Sequence, residues 1–216
     1  MRIGAKWIPF TAEEVFADDP PGFVWAGRAT LAPLLTASGG DIYAGGRGRF
    51  TIRLWGVLPL ARADGPELDE AELQRYLAET SWFPTVWLSP AVRWRPVDAR
   101  SAEVTMTHSG ATATGVADFN LEGMLSEVRF DRFRYAGRAP PTRVPWAGRL
   151  REYHPVGELR IPVEIDASWE DTERGGSYFR ARLTEIAFDG GPAHRIPNAP
   201  AARTAQVADT PGPVRA

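Results

Sequence analysis

Arg75 and Glu79 stand four residues apart in the stretch Glu72-Leu73-Gln74-Arg75-Tyr76-Leu77-Ala78-Glu79, a spacing that puts a guanidinium and a carboxylate on one face of a helix. As a surface ion pair they contribute only about 0.3–0.5 kcal/mol, so stability alone does not require them. If the helix instead closes the mouth of a curved sheet, both heads face a cavity. Glu79 is then a candidate acid or base, with Asp41 and Tyr43 beside it as further catalytic candidates. Other chemistries lack their residues. The absence of cysteine removes disulfides, thiolate catalysis and thiolate metal sites. His108, His154 and His194 sit in unrelated settings, with no Gly-x-Ser-x-Gly, His-Glu-x-x-His or EF-hand pattern, so no triad, metal site or cofactor is expected. Gly45-Gly46-Arg47-Gly48 lacks the Lys-Ser/Thr of a phosphate loop and reads as a turn. Arg47, Arg49 and Arg53 recur at even spacing and share one side of the strand that follows. Such a stripe suits either a solvated outer face or an anionic head group.

The aromatic residues are the broader signal: eight Trp, ten Phe and five Tyr. Each large ring buries roughly 150–250 Å², and that much ring surface either fills an unusually aromatic core or lines a ligand cavity. On the cavity reading Trp25, Trp55, Trp82, Trp94 and Trp146 are wall residues, and Tyr43, Arg75 and Arg134 are polar anchors.

These residues need elements to position them. The clearest helix is predicted over residues 69–81, where Leu68, Leu73, Tyr76 and Leu77 recur at helical spacing and Asp69 and Glu70 suit the first turn. Thr11-Ala12-Glu13-Glu14-Val15-Phe16 reads as a helical turn capped by Thr11. The run from Phe23 to Leu31, followed by Ser38-Gly39-Gly40-Asp41 as a turn, reads as a hairpin. Phe50, Ile52 and Leu54 alternate on one strand face. From about Val92 short strands and turns follow as a meander, interrupted around Pro145-Trp146-Ala147-Gly148. No repeat of solenoid or propeller type is seen. Polar residues at alternate positions point to antiparallel sheets with one wet face. The expected fold is mainly β with one or two short helices: a curved antiparallel sheet, half-barrel or lipocalin-like cup. Its expected extent is residues 1–190, with a disordered Pro/Ala/Arg-rich tail over 191–216. A net charge of −2 gives no global reason to expect a nucleic-acid partner. Because no stretch of about 18 apolar residues occurs, no integral membrane segment is expected and the chain reads as cytoplasmic.

Phe23-Val24-Trp25, Asp41 to Gly48, Glu72 to Glu79 with Trp82-Phe83-Pro84, Arg134-Tyr135 and Pro145-Trp146-Ala147-Gly148 occur here in one order. In that order the chain resembles an uncharacterised bacterial family, a domain of unknown function. The Arg-Tyr-Leu-Ala-Glu and Trp-Phe-Pro pieces are the most specific. The resemblance supplies no catalytic residues. The expected function is therefore drawn from the residues: binding of an apolar or amphipathic small molecule in an aromatic-lined cup. The alternatives are a cofactor-independent cyclase or isomerase using the same cavity, and an interaction domain with a filled core.

Overall fold

The computed structural model describes residues 1–135, 139–171 and 176–197. Two compact units are distinguished, Met1–Arg182 and Leu183–Ala216. In the first, the alternating patterns form two antiparallel meanders. A short hairpin of β1 (Arg2–Ile3) and β2 (Lys6–Trp7) precedes them. The first meander has five strands: β3 (Phe10–Ala17), β4 (Gly22–Ala32), β5 (Leu35–Ala44), β6 (Arg47–Leu54) and β7 (Leu58–Ala63). Helix α1 (Pro66–Glu79) and two 3-10 turns, Thr80–Trp82 and Pro84–Leu88, follow it. The second meander has seven strands: β8 (Val92–Pro96), β9 (Ser101–His108), β10 (Ala111–Phe119), β11 (Leu125–Arg134), β12 (Thr142–Val156), β13 (Leu159–Trp169) and β14 (Gly176–Arg182). The fold is mainly β and antiparallel, without a closed barrel among the described residues.

Helix α1 starts with Pro66 in its first turn, where a missing N–H costs nothing. It packs on β5 and β6 of one sheet and on β10 and β11 of the other. Contact on both sides explains why polar as well as apolar residues are buried along it, Asp69, Glu72 and Gln74 with Leu73, Tyr76 and Leu77. Gly48 permits the close approach, since a Cβ there would lie 2.7 Å from the Leu68 carbonyl oxygen. Two of the buried polar groups have specific partners. Asp69 accepts from the Gly48 N–H at 2.7 Å and from Arg47 at 2.9 Å, and Gln74 donates to the Asp131 carbonyl at 3.1 Å. Tyr43, Leu73, Tyr76, Met106 and Ala113 form the centre of the core.

Three local expectations are corrected. Residues 11–16 belong to strand β3, paired with β4. Their alternation of Phe10, Ala12, Glu14 and Phe16 outweighs the helix-forming Ala and Glu once a sheet edge is available. Ser38-Gly39-Gly40-Asp41 lies inside β5, and the hairpin turns at Pro33-Leu34. Pro145-Trp146-Ala147-Gly148 lies inside β12, the longest strand. Pro145 has no N–H to give, and the carbonyl of its cross-strand neighbour Asp131 accepts instead from Gln74 and Arg143.

In the second unit β15 (Glu185–Ile186) pairs with β16 (His194–Arg195), so a short hairpin falls partly within the stretch expected as tail. The rest of that stretch, from residue 198, lies outside the described residues. No helix among the described residues is long and apolar enough to cross a membrane.

Candidate functional site

Strand register builds the site. Trp25 on β4 stands directly between Glu14 on β3 and Asp41 on β5. Side chains directly opposite in a sheet share a face, so two carboxyl groups flank one indole. Helix α1 brings Arg75 over that row. Its Nε donates to Glu79 Oε1 at 2.9 Å, one Nη donates to Glu14 Oε1 at 2.9 Å, and the other donates to Asp41 Oδ2. The guanidinium carbon lies 4.7 Å from the centre of the Phe23 ring and 5.5 Å from that of Trp25, within cation–π range. The four ionisable side chains are only 15–19% exposed, so the cluster is largely withdrawn from solvent. The i,i+4 pair is thus one arm of a buried, three-carboxylate clasp joining α1 to β3 and β5.

Glu72 and Arg132 extend the cluster, making four carboxyl groups against two guanidiniums. Burial raises Glu14 first, reinforced by the Glu79 carboxylate and a hydrogen bond to it, and Arg75 only partly offsets this; Glu14 is pushed up to about 9. Burial and Asp41 push Glu72 up to about 8 against the pull of Arg75 and Arg132. Asp41 is also raised by burial, opposed by the same two arginines. Burial works against the charged Arg75, but Glu79, Glu14, Asp41 and Glu72 outweigh it and hold the guanidinium well above its ordinary value. The cluster therefore keeps protons at neutral pH, which brings its charge toward balance. Four buried atoms of the cluster, Asp41 Oδ1, Glu72 Oε2, Glu79 Oε2 and Arg132 Nε, have no hydrogen-bond partner among the described residues. The other end of Arg132 donates to the Ala71 carbonyl at 2.9 Å.

Of the residues singled out by sequence, the structure gathers Asp41, Arg75, Glu79 and Trp25 in this cluster. Tyr43, two residues beyond Asp41 on the same face, is fully buried and shares a 2.8 Å hydrogen bond with His108 Nδ1; burial and then Asp69 push its hydroxyl up to about 12. Trp146 is buried in the other sheet and donates to the Tyr178 hydroxyl at 3.0 Å. Trp82 donates to the Pro162 carbonyl at 2.8 Å. Arg134 pairs with Asp171 at 2.8 Å over the Trp169 ring. Trp94 packs edge-on against Trp87, and Trp55 projects from the β6–β7 turn, 54% exposed. Glu14, Glu72, Phe23 and Arg132 were not anticipated as site residues. The period-two pattern from Phe10 to Phe16 carried the signal for Glu14.

Aromatic rings adjoin the cluster, with Phe10, Phe16 and Trp25 half-buried and Phe23 fully buried. Phe10 lies 6.4 Å from Trp25, Phe23 lies 5.7 Å from Phe16, and Phe16 stacks 4.6 Å from Phe83. A separate surface depression of about 520 Å³ crosses the seven-stranded sheet beside Glu103, Thr114, Arg129, Asp131 and Glu170. Val116, Phe130, Pro145 and Trp146 line it as well, and more of its wall is apolar than polar.

Comparison with known proteins gives one match. The model of a family of unknown function, DUF6920, matches residues 1–188, and the chain belongs to that family. No curated protein and no solved structure matches it.

Proposed function

We propose that this chain binds an amphipathic small molecule where α1 meets the five-stranded sheet, its polar end at the Arg75 cluster and its apolar body against the Phe10, Trp25 and Phe16 rings. The observation that carries this reading is the adjacency of the half-buried Phe10, Phe16 and Trp25 rings to an ionic cluster in which some buried oxygens lack partners among the described residues. Native folds satisfy nearly all buried polar atoms, and an unmet set beside apolar walls is what a bound ligand completes. Apolar burial supplies affinity at about 25 cal/mol per Å², and the cluster supplies orientation. Native mass spectrometry of the gently purified protein, followed by extraction, tests this directly. A stoichiometric amphipathic adduct is expected, weakened by Trp25→Ala and kept by Trp94→Phe. An empty protein whose melting temperature is unmoved by fatty acids, lysophospholipids and polyketides overturns the reading.

One observation favours a second reading. Glu14 and Glu79 are held by the same Arg75 guanidinium, and Glu14, pushed up to about 9, retains its proton at neutral pH, the arrangement of a proton donor beside its acceptor. A cofactor-independent isomerase or cyclase needs little more than that and a held substrate. Glu79→Gln separates the two readings: affinity for the extracted ligand persists in both, and turnover disappears only in the second.

A further inference from the structure

The two hairpin ends of the five-stranded sheet meet at one corner. The β4–β5 hairpin turns through Pro33-Leu34, and the β6–β7 hairpin turns through Trp55-Gly56-Val57. Trp55 ties them together, its backbone N–H donating to the Thr36 carbonyl at 2.8 Å and its indole to the Leu34 carbonyl at 2.7 Å. The corner is apolar and uncovered: Leu34 is 93% exposed, Val57 77%, Trp55 and Leu60 54% and Leu58 51%. Leu34 and Trp55 hold φ values of 63° and 51°, a left-handed conformation that costs free energy for residues of this size. A fold that only needed a turn there has Gly or Asn available.

The neighbouring outer face is basic. Arg28 and Arg53 flank Ser38 in register across β4, β5 and β6, a short step from the corner, and Arg49 lies farther along β6. None of the three makes an ion pair among the described residues. From Arg47 to Ala63 the chain has four arginines and no acidic residue, and none occurs from Arg28 to Ser38 either. Arg47 is paired to Asp69 and Arg62 to Asp64, while Glu13 is the acid on the outer face, at the far β3 edge. The seven-stranded sheet is arranged otherwise. There Arg149 bridges Glu127 and Glu170, Arg182 bridges Glu152 and Glu164, and Arg180 pairs with Asp166.

We propose that this corner docks on an anionic lipid surface, Leu34, Trp55, Val57 and Leu58 entering the head-group boundary while Arg28 and Arg53 meet lipid phosphates. Tryptophan favours that boundary, with its ring in the apolar layer and its N–H near the wet one. Arginine is suited to phosphate by its planar fork of donors. Neither element crosses the bilayer; the chain lies on it, and attachment combines apolar insertion with charge attraction. The inference is independent of what the Arg75 cluster binds.

Co-sedimentation of the full chain with vesicles tests it, using phosphatidylcholine alone and phosphatidylcholine mixed with phosphatidylglycerol. Binding to the mixed vesicles and not to the zwitterionic ones is expected, weakening with added salt. Arg28→Gln and Arg53→Gln should each lower partitioning about fivefold. Leu34→Asp with Val57→Asp should abolish binding with an unchanged melting temperature, and brominated acyl chains should quench Trp fluorescence less in Trp55→Phe. Failure to bind the mixed vesicles at low ionic strength overturns the proposal, as does equal binding by the double aspartate variant. A concentration-dependent dimer lost in that variant, without vesicle binding, also overturns it by making a second copy the occupant.

Discussion

The two sheets carry the same tetrapeptide, Trp25-Ala26-Gly27-Arg28 on β4 and Trp146-Ala147-Gly148-Arg149 on β12, and put it to opposite use. In both, the indole lies back over the glycine two residues on: a Cβ at Gly27 would stand 2.3 Å from Trp25 Cη2, and one at Gly148 would stand 2.6 Å from Trp146 Cη2. In both a guanidinium sits near the ring, Arg75 at 5.5 Å and Arg132 at 4.9 Å. The flanks differ. Trp25 stands between Glu14 and Asp41, Trp146 between Phe130 and Trp169. On the outer face the assignment is reversed, Arg28 lying between Thr11 and Ser38 and Arg149 between Glu127 and Asp166. One sheet turns these carboxylates inward and leaves Arg28 and Arg53 on its outer face without an ion pair among the described residues, and the other sets carboxylates against its outer Arg149. The shared tetrapeptide sets a backbone and ring geometry; cross-strand neighbours decide whether it becomes a polar site or a packed core.

The largest expected effect separates the two guanidiniums. Arg75→Met strips the counter-charge from a buried carboxyl cluster and should cost about 3–5 kcal/mol in urea unfolding at neutral pH. Arg132→Met gives up one hydrogen bond to Ala71, a ring contact and the weaker of the two positive charges acting on Asp41 and Glu72, and should cost less. Equal losses would break the distinction between the sheets. Proton linkage sharpens it further. Glu14 and Glu72 titrate near 9 and 8 in the folded chain against about 4.3 in an unfolded one. Between those values the folded state holds more protons, so stability is fully present below the lower value and declines as pH rises through the window. Each proton contributes a slope of up to about 1.4 kcal/mol per pH unit. Melting scans across that range should therefore flatten in Glu14→Gln with Glu72→Gln, and a profile as steep as that of the parent chain would remove the cluster as its source.

How far such features can be read ahead of a structure depends on whether their cause is local. Helix α1 was legible because Leu73, Tyr76 and Leu77 recur at helical spacing, and the Arg75–Glu79 pair follows from that spacing alone. Phe50, Ile52 and Leu54 were legible in the same way from strand alternation. Glu14 was hidden because Thr-Ala-Glu-Glu is good helix-start chemistry in isolation, and only pairing with β4 makes it a strand. Gly39-Gly40 looked like a turn because adjacent glycines are turn chemistry in isolation, and only pairing with Gly27 and Ala26 of β4 makes them strand. The burial of Glu72 depends on sheets covering α1 from both sides. Trp55 and Trp94, expected as cavity walls from residue type, stand away from the Arg75 cluster because type does not report which end of a hairpin a ring occupies.

Smaller effects test the shared geometry. Gly27→Ala and Gly148→Ala should each cost about 1–3 kcal/mol, since either methyl group displaces an indole from a packed position. Only Gly27→Ala should also alter the pH profile, because only Trp25 borders titrating carboxyl groups. A similar change from Gly148→Ala would show that the profile reports general loosening.

The smallest effect lies on the outer faces. Arg149→Ala loses contacts with Glu127 at 2.7 Å and Glu170 at 3.0 Å, and as a partly exposed network this should cost about 0.2–1 kcal/mol in thermal unfolding, shrinking with salt. Arg28→Ala has no ion pair to lose within the described residues and should leave the melting temperature unchanged in both low and high salt. A salt-sensitive loss at Arg28 would mean that an intramolecular partner compensates it, and the outward charge contrast between the sheets would fail. With no such loss, any cost of removing Arg28 must come from outside the folded chain, where an anionic surface supplies the counter-charge that Glu127 and Glu170 supply to Arg149.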